Sequence, residues 1–223
     1  NITLFKSDNT PVQVFDVTTD VTVSGATVTL NPTANFESSQ GYYVQVAASA
    51  IDDLTGNSYA GISDTTTLSF TAADVAAATL SSSSPADDAT GIAVNSNIVL
   101  TFNETVQAGT GNITLFKSDS TSVEVFDVTT DVTISGATVT LNPASDLDSL
   151  QGYYIQVAST AIKDTSNNAY AGISDTTTLS FTAADVAAPT LASSSPTDNA
   201  TGVAINSNIV LTFNETVQAG TGN

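Results

Sequence analysis

The eight residues NITLFKSD open the chain at Asn1 and return at Asn112, so the sequence repeats with a period of 111 residues. About four positions in five are identical between the copies, far more than a shared fold alone imposes. Asn223 opens a third copy. Near-identity of adjacent domains is the mark of recent tandem duplication, and arrays that grow this way are usually used for length. The pattern is already under way at Asn1, so the chain reads as a piece of something longer.

The stretch Phe70 to Gly91, FTAADVAAATLSSSSPADDATG, returns as Phe181 to Gly202, FTAADVAAPTLASSSPTDNATG. Each copy reads as a joint: the last strand of one β-domain, a short bridge, and the first strand of the next. Boundaries at the joints make 1–74 the back part of a domain, 75–185 a complete domain, and 186–223 the front part of another.

Within the complete domain helical spacing is absent, while alternation and β-forming residues are frequent. Thr79 to Ser84, Asn97 to Val106, Asn112 to Lys117, Val123 to Val128, Val132 to Ile134, Ala137 to Leu141, Tyr153 to Ala158 and Thr177 to Thr182 read as strands. Ile92 to Val94 adds a short one, ADDATG is turn chemistry, and Ile162 to Asp175 is a long acidic loop. About seven short strands per period predict an all-β chain of tandem immunoglobulin-like β-sandwiches with Greek-key connections. The expected inward set is Leu80, Ile98, Leu100, Phe102, Ile113, Leu115, Val125, Val139, Leu141, Tyr154, Val157, Leu179 and Phe181.

Composition narrows the function. There is no Cys and no His, which excludes disulfides, thiolate and imidazole metal sites, and Cys-based or Ser-His-Asp catalysis. Acid pairs such as Asp52–Asp53 have no aromatic subsite beside them, so an enzyme is not expected. No apolar run approaches the ~20 residues of a membrane span, and no signal peptide begins the chain. Twenty-two carboxylates face three lysines, for a net charge of −19. Nucleic acid and anionic lipid are repelled by such a surface. Nearly every carboxylate lacks a protein counter-ion, which fits either binding of divalent cations or a solvated acidic surface.

The stretch PTLASSSPTDNATGVAINSNIVLTFNETVQAGTGNITL resembles the bacterial Ig-like domains of giant surface proteins. The joint proline, the SP-x-D-x-ATG-V-A turn, the S-N-I-V-L-T-F strand and the YAGISD ending all carry the likeness, which covers the whole chain. It implies an extender region of an RTX-type adhesin at the bacterial cell surface, with calcium at the links between domains. Two departures are visible. The G-G-x-G-x-D repeat of the secretion region is absent, and Ala78 stands in the first joint where Pro189 stands in the second.

Strand direction assigns the acids to poles of the complete domain. The loop with Glu104 and the loop from Asp164 to Asp175 belong to the upstream pole. Asp87, Asp88, Asp119, Asp146 and Asp148 belong to the downstream pole with Asp185. End-to-end stacking sets one downstream pole against the next upstream one, where Ca2+ finds the six to eight oxygens it needs. The candidate ligands are Asp74 and Asp185 at the joints, then Glu104 and Glu215, Asp53 and Asp164, Asp64 and Asp175, and Asp87 and Asp198, with Asp88 answered by Asn199. Asp52 is replaced by Lys163, so that position is dispensable.

The expected function is a structural spacer whose partners are neighbouring Ig-like repeats. The alternative is a module that contacts glycan or protein through pole loops. The back part of a domain at 1–74 lacks its first two strands and the front part at 186–223 supplies them, so head-to-tail strand complementation between chains is expected.

Overall fold

The computed structural model describes residues 1–222, and the reading of Asn223 as the start of a third copy lies outside them. The chain is all-β and folds as two compact units, each described by itself. The first comprises Asn1–Ala78 with Lys163–Tyr170, and the second comprises Thr79–Ile162 with the chain from Ala171 onward.

In the first unit, β1 (Ile2–Lys6), β2 (Pro11–Phe15), β5 (Gly41–Val46) and β6 (Ser69–Thr71) form one sheet in the order β2-β1-β5-β6. The hairpin β3 (Val21–Ser24) and β4 (Thr27–Leu30) is a separate two-stranded sheet. Ile2, Leu4, Phe15, Tyr42 and Val44 make a buried cluster, and Val28 and Leu30 of β4 pack against it. This unit therefore holds one full sheet and half of the sheet that should face it.

The second unit contains a whole sandwich. Its strands are β7 (Leu80–Ser84), β8 (Ala89–Ile92), β9 (Ile98–Phe102), β10 (Val106–Ala108), β11 (Asn112–Lys117), β12 (Ser122–Asp127), β13 (Val132–Ser135), β14 (Thr138–Leu141), β15 (Gly152–Val157) and β17 (Ser180–Ala183). In β16 (Ile162–Asp164) the chain passes from this unit to the first. One sheet runs β13-β14-β9-β7 and the other β12-β11-β15-β17-β8. All these pairs are antiparallel except β8 with β17. That order is the immunoglobulin-like Greek key. The hairpin β18 (Leu191–Ser195) and β19 (Val210–Phe213) completes the unit.

Strict alternation makes the core. Ile98, Leu100 and Phe102 of β9 are buried, as are Val139 and Leu141 of β14, Ile113 and Leu115 of β11, and Leu179 and Phe181 around β17. Tyr154 and Val157 are buried too, and Leu80 is partly so. Val125 departs from the expected inward set and is 51% exposed. Residues opposite one another across a strand pair share a face. Phe126 lies opposite buried Ile113, whereas Val125 lies opposite Thr114 on the outer face. A second correction concerns ADDATG: its Ala89 to Gly91 is already strand, held parallel to β17. Leu147, Ile162 and Ile173 are buried from the connecting loops, which alternation within strands does not reveal.

The repeat supplies an internal test of this core. Leu100→Ala lowers stability by about 2–5 kcal/mol, because it opens a cavity in a closed core. Leu211→Ala, at the same repeat position but 54% exposed, changes it by no more than about 0.5 kcal/mol. Chemical denaturation measures both, and equal costs would contradict the assigned cores.

Candidate metal centre

Both joints are latched by the same group. After β6 the chain leaves the sheet, and Ser38 Oγ accepts hydrogen bonds from the N–H groups of Val75 (2.9 Å) and Ala76 (3.2 Å). The same hydroxyl donates to Asp74 Oδ1 at 2.8 Å, which also accepts from Ala76 N at 3.1 Å. In the second joint Ser149 Oγ accepts from Val186 and Ala187 and donates to Asp185 Oδ1 at 3.0 Å. An irregular bridge must find acceptors for its N–H groups, and here one serine does so while fixing the carboxylate. The Ser38 hydrogen bond, then the Ala76 N–H, hold the Asp74 carboxyl below its ordinary range.

In the first unit a loop closes over this bridge. Asp164 is fully buried, and its Oδ1 accepts from the N–H groups of Ser166 and Asn168, both at 2.8 Å. Its Oδ2 accepts from Asn168 Nδ2 at 2.8 Å. The same Nδ2 reaches the carbonyls of Asp74 (3.2 Å) and Ala76 (3.4 Å), so Asn168 ties the loop to the bridge. Ser166 Oγ lies 3.5 Å from Asp74 Oδ2. Carboxylate oxygens of Asp74 and Asp164 come within 4.8 Å of each other.

The second unit places Asp185 against a different acid. Thr190 N donates to Asn214 Oδ1 at 2.6 Å, and Asn214 N returns a bond to Thr190 O at 3.0 Å. This clasp sets the next residue, Glu215, beside Asp185. Burial, then the charge of Asp185 and a hydrogen bond with it, push the Glu215 carboxyl up. Glu215 Oε1 is buried without a hydrogen-bond partner among the described residues. An orphaned acidic oxygen is costly unless a proton or a cation satisfies it. Thr79 and Asn103 form the same clasp one period earlier, immediately before Glu104 in the turn between β9 and β10.

The other candidate residues do other work. Asp53 repeats the Asp164 loop, with bonds from Thr55 N, Asn57 N and Asn57 Nδ2, but is exposed. Those bonds, Asn57's side chain first, hold it well below the usual carboxylate range. Asp64 and Asp175 each cap their own turn through two threonines, Thr66 and Thr67 in one copy and Thr177 and Thr178 in the other. Both are held low, with the hydroxyls of Thr67 and Thr178 the largest cause. Asp87 accepts from Ser180 N and Asp88 from Ser180 Oγ, at the first residue of β17, whereas Asp185 follows its last. Asn199 Nδ2 donates to Asp198, its neighbour in the turn after β18. Lys6 pairs with Glu37 and Lys117 with Asp148, and exposed pairs of this kind contribute little.

The structure thus groups Asp74 with Asp164 and Asp185 with Glu215. Ser38, Ser149, Asn168, Asn103 and Asn214 position these acids and were not singled out in the sequence. Their signal was present as repeated words: Asn-Glu-Thr after β9 and β19, and Asp-x-Thr/Ser-x-Asn in the loop of Asp53 and Asp164. The converging donors are all oxygen, a set that fits hard cations such as calcium and magnesium.

Asp164→Ala orphans the buried N–H groups of Ser166 and Asn168, so it lowers stability by about 2–4 kcal/mol. Asp53→Ala, in the same loop motif exposed to water, costs clearly less. Paired melting curves measure the difference, and equal losses would contradict the role given to the buried loop.

No helix among the described residues is long and apolar enough to cross a membrane. No curated protein matches the chain. A family model described as bacterial Ig-like domain matches residues 1–72, 74–183 and 185–223. Domains of that kind are generally non-enzymatic structural or adhesion-type modules, typically of bacterial surface proteins. With nearly its whole length matched and an immunoglobulin-like strand order in its complete sandwich, the chain belongs to the bacterial Ig-like domain family.

Proposed function

We propose that this chain is a run of spacer repeats from the extender region of a secreted bacterial adhesin, in which calcium bound at the joints makes the array rigid. One observation carries the reading: Glu215 Oε1 is buried beside Asp185 with no partner. At the first joint the proposed ligands are Asp74, Glu104 and Asp164. At the second, Asp185 and Glu215 are the repeat equivalents of Asp74 and Glu104. Backbone carbonyls and water complete the six to eight oxygens that calcium takes.

The mechanism is electrostatic. Without metal, clustered carboxylates repel one another and the bridge is free to splay. A dication reverses the sign of that local interaction and fixes the bridge. Extracellular modules bind calcium at roughly 0.1–1 mM, so the array is slack where calcium is scarce and stiff outside the cell. Near-identity of the repeats supports a role in length rather than in recognition.

Chelation is expected to increase flexibility in small-angle scattering and to lower Tm, and calcium to restore both. Identical profiles and Tm with and without chelator would overturn the reading. Protons compete for the same oxygens. The folded Glu215 carboxyl titrates above its unfolded value, so in chelator its contribution to stability is largest at low pH. That contribution falls as pH rises through the raised range. The calcium-induced rise in Tm is therefore larger at neutral pH than at mildly acidic pH.

A further inference from the structure

We propose that the hairpin β18–β19 of one copy of the chain completes the open sandwich of the first unit of a second copy, so that chains join head to tail. The complete repeat shows what the first unit lacks. There β14 pairs with β9 in the register Thr138↔Thr101, Val139↔Leu100, Thr140↔Val99 and Leu141↔Ile98. The repeat equivalent of β14 is β4, which pairs with β3 alone. The equivalent of β9 is β19, which pairs with β18 alone.

Both halves are preformed. β18 and β19 pair as Leu191↔Phe213 and Ser193↔Thr212, the register and bulge that β7 and β9 adopt one period earlier. The donor side chains stand ready: Ile209 is 79% exposed and Leu211 54%, whereas their equivalents Ile98 and Leu100 are fully buried. On the acceptor, Leu4, Phe15, Leu30, Phe36, Val44 and Phe70 line an apolar groove of about 250 Å³. Phe36 and Phe70 are each more than a third exposed there, while Leu147 and Phe181 at the same repeat positions are buried.

The pairing follows from the period as Thr27↔Thr212, Val28↔Leu211, Thr29↔Val210 and Leu30↔Ile209. Among the described residues these edges are not paired with each other, so a second copy supplies the contact. Donor and acceptor are different surfaces, and a heterologous contact of this kind extends into an open chain.

The test uses the whole chain and two variants, with mass followed by light scattering over a wide concentration range. Wild type is expected to grow in steps of 22.6 kDa. Leu211→Asp removes the donor and Val28→Asp the acceptor, and each alone stays a monomer. Mixed, they form a species of two chains and no larger, because one donor and one acceptor remain. Val28→Asp need not keep its own first unit folded for this, since only its tail is used. A wild-type mass fixed at one chain, a Leu211→Asp variant that grows like wild type, or a mixture that stays monomeric or passes two chains would each overturn the proposal.

Discussion

One serine hydroxyl holds each joint. Ser38 and Ser149 accept two bridge N–H groups apiece and donate to the aspartate that begins the bridge. The bridge lies between strands and has no ladder of its own, so its N–H groups must be satisfied by side chains. Because acceptance and donation pass through one atom, the backbone path and the carboxylate direction are fixed together. Everything inferred about the joint as an ion site depends on that coupling. A freely rotating aspartate would face water and gather nothing.

The same sequence meets different environments in this chain. Asp53 and Asp164 make the same hydrogen bonds within the same loop motif, yet one is exposed and the other fully buried. What differs is the bridge residues tied to the second loop by Asn168. Leu100 and Leu211 likewise share a strand and a register but not a core. Local chemistry forms the turns and hairpins in both copies. Whether they are buried depends on which other parts of the repeat are folded around them. An array of such domains is therefore most stable where every repeat is complete.

Much of the fold was legible because β-sandwich strands carry a period-two signal that β9 and β14 display without interruption. The signal weakened at the edge. Val125 belongs to a β-branched strand at the rim of its sheet, where both faces carry apolar side chains and parity alone does not say which is inside. Ala89 to Gly91 were hidden by turn-forming neighbours, since only a parallel pairing with the distant β17 makes them strand. For the site, joint residues such as Asp74 and Asp185 stood out because they flank the repeated bridge. The serine latch did not, because Ser38 lies 36 residues before Asp74 and serine is common in every loop here. Charge counting also could not separate acids that cap turns, such as Asp64 and Asp175, from acids gathered at a joint. That distinction rests on which N–H and O–H groups lie within reach.

The most direct test is a crystal grown with calcium and measured where calcium scatters anomalously. The account predicts an anomalous peak at the first joint, about 2.3–2.6 Å from carboxylate oxygens of Asp74, Glu104 and Asp164. A joint with the serine latch intact but only water among those oxygens would contradict it and leave the acids a role in solubility alone.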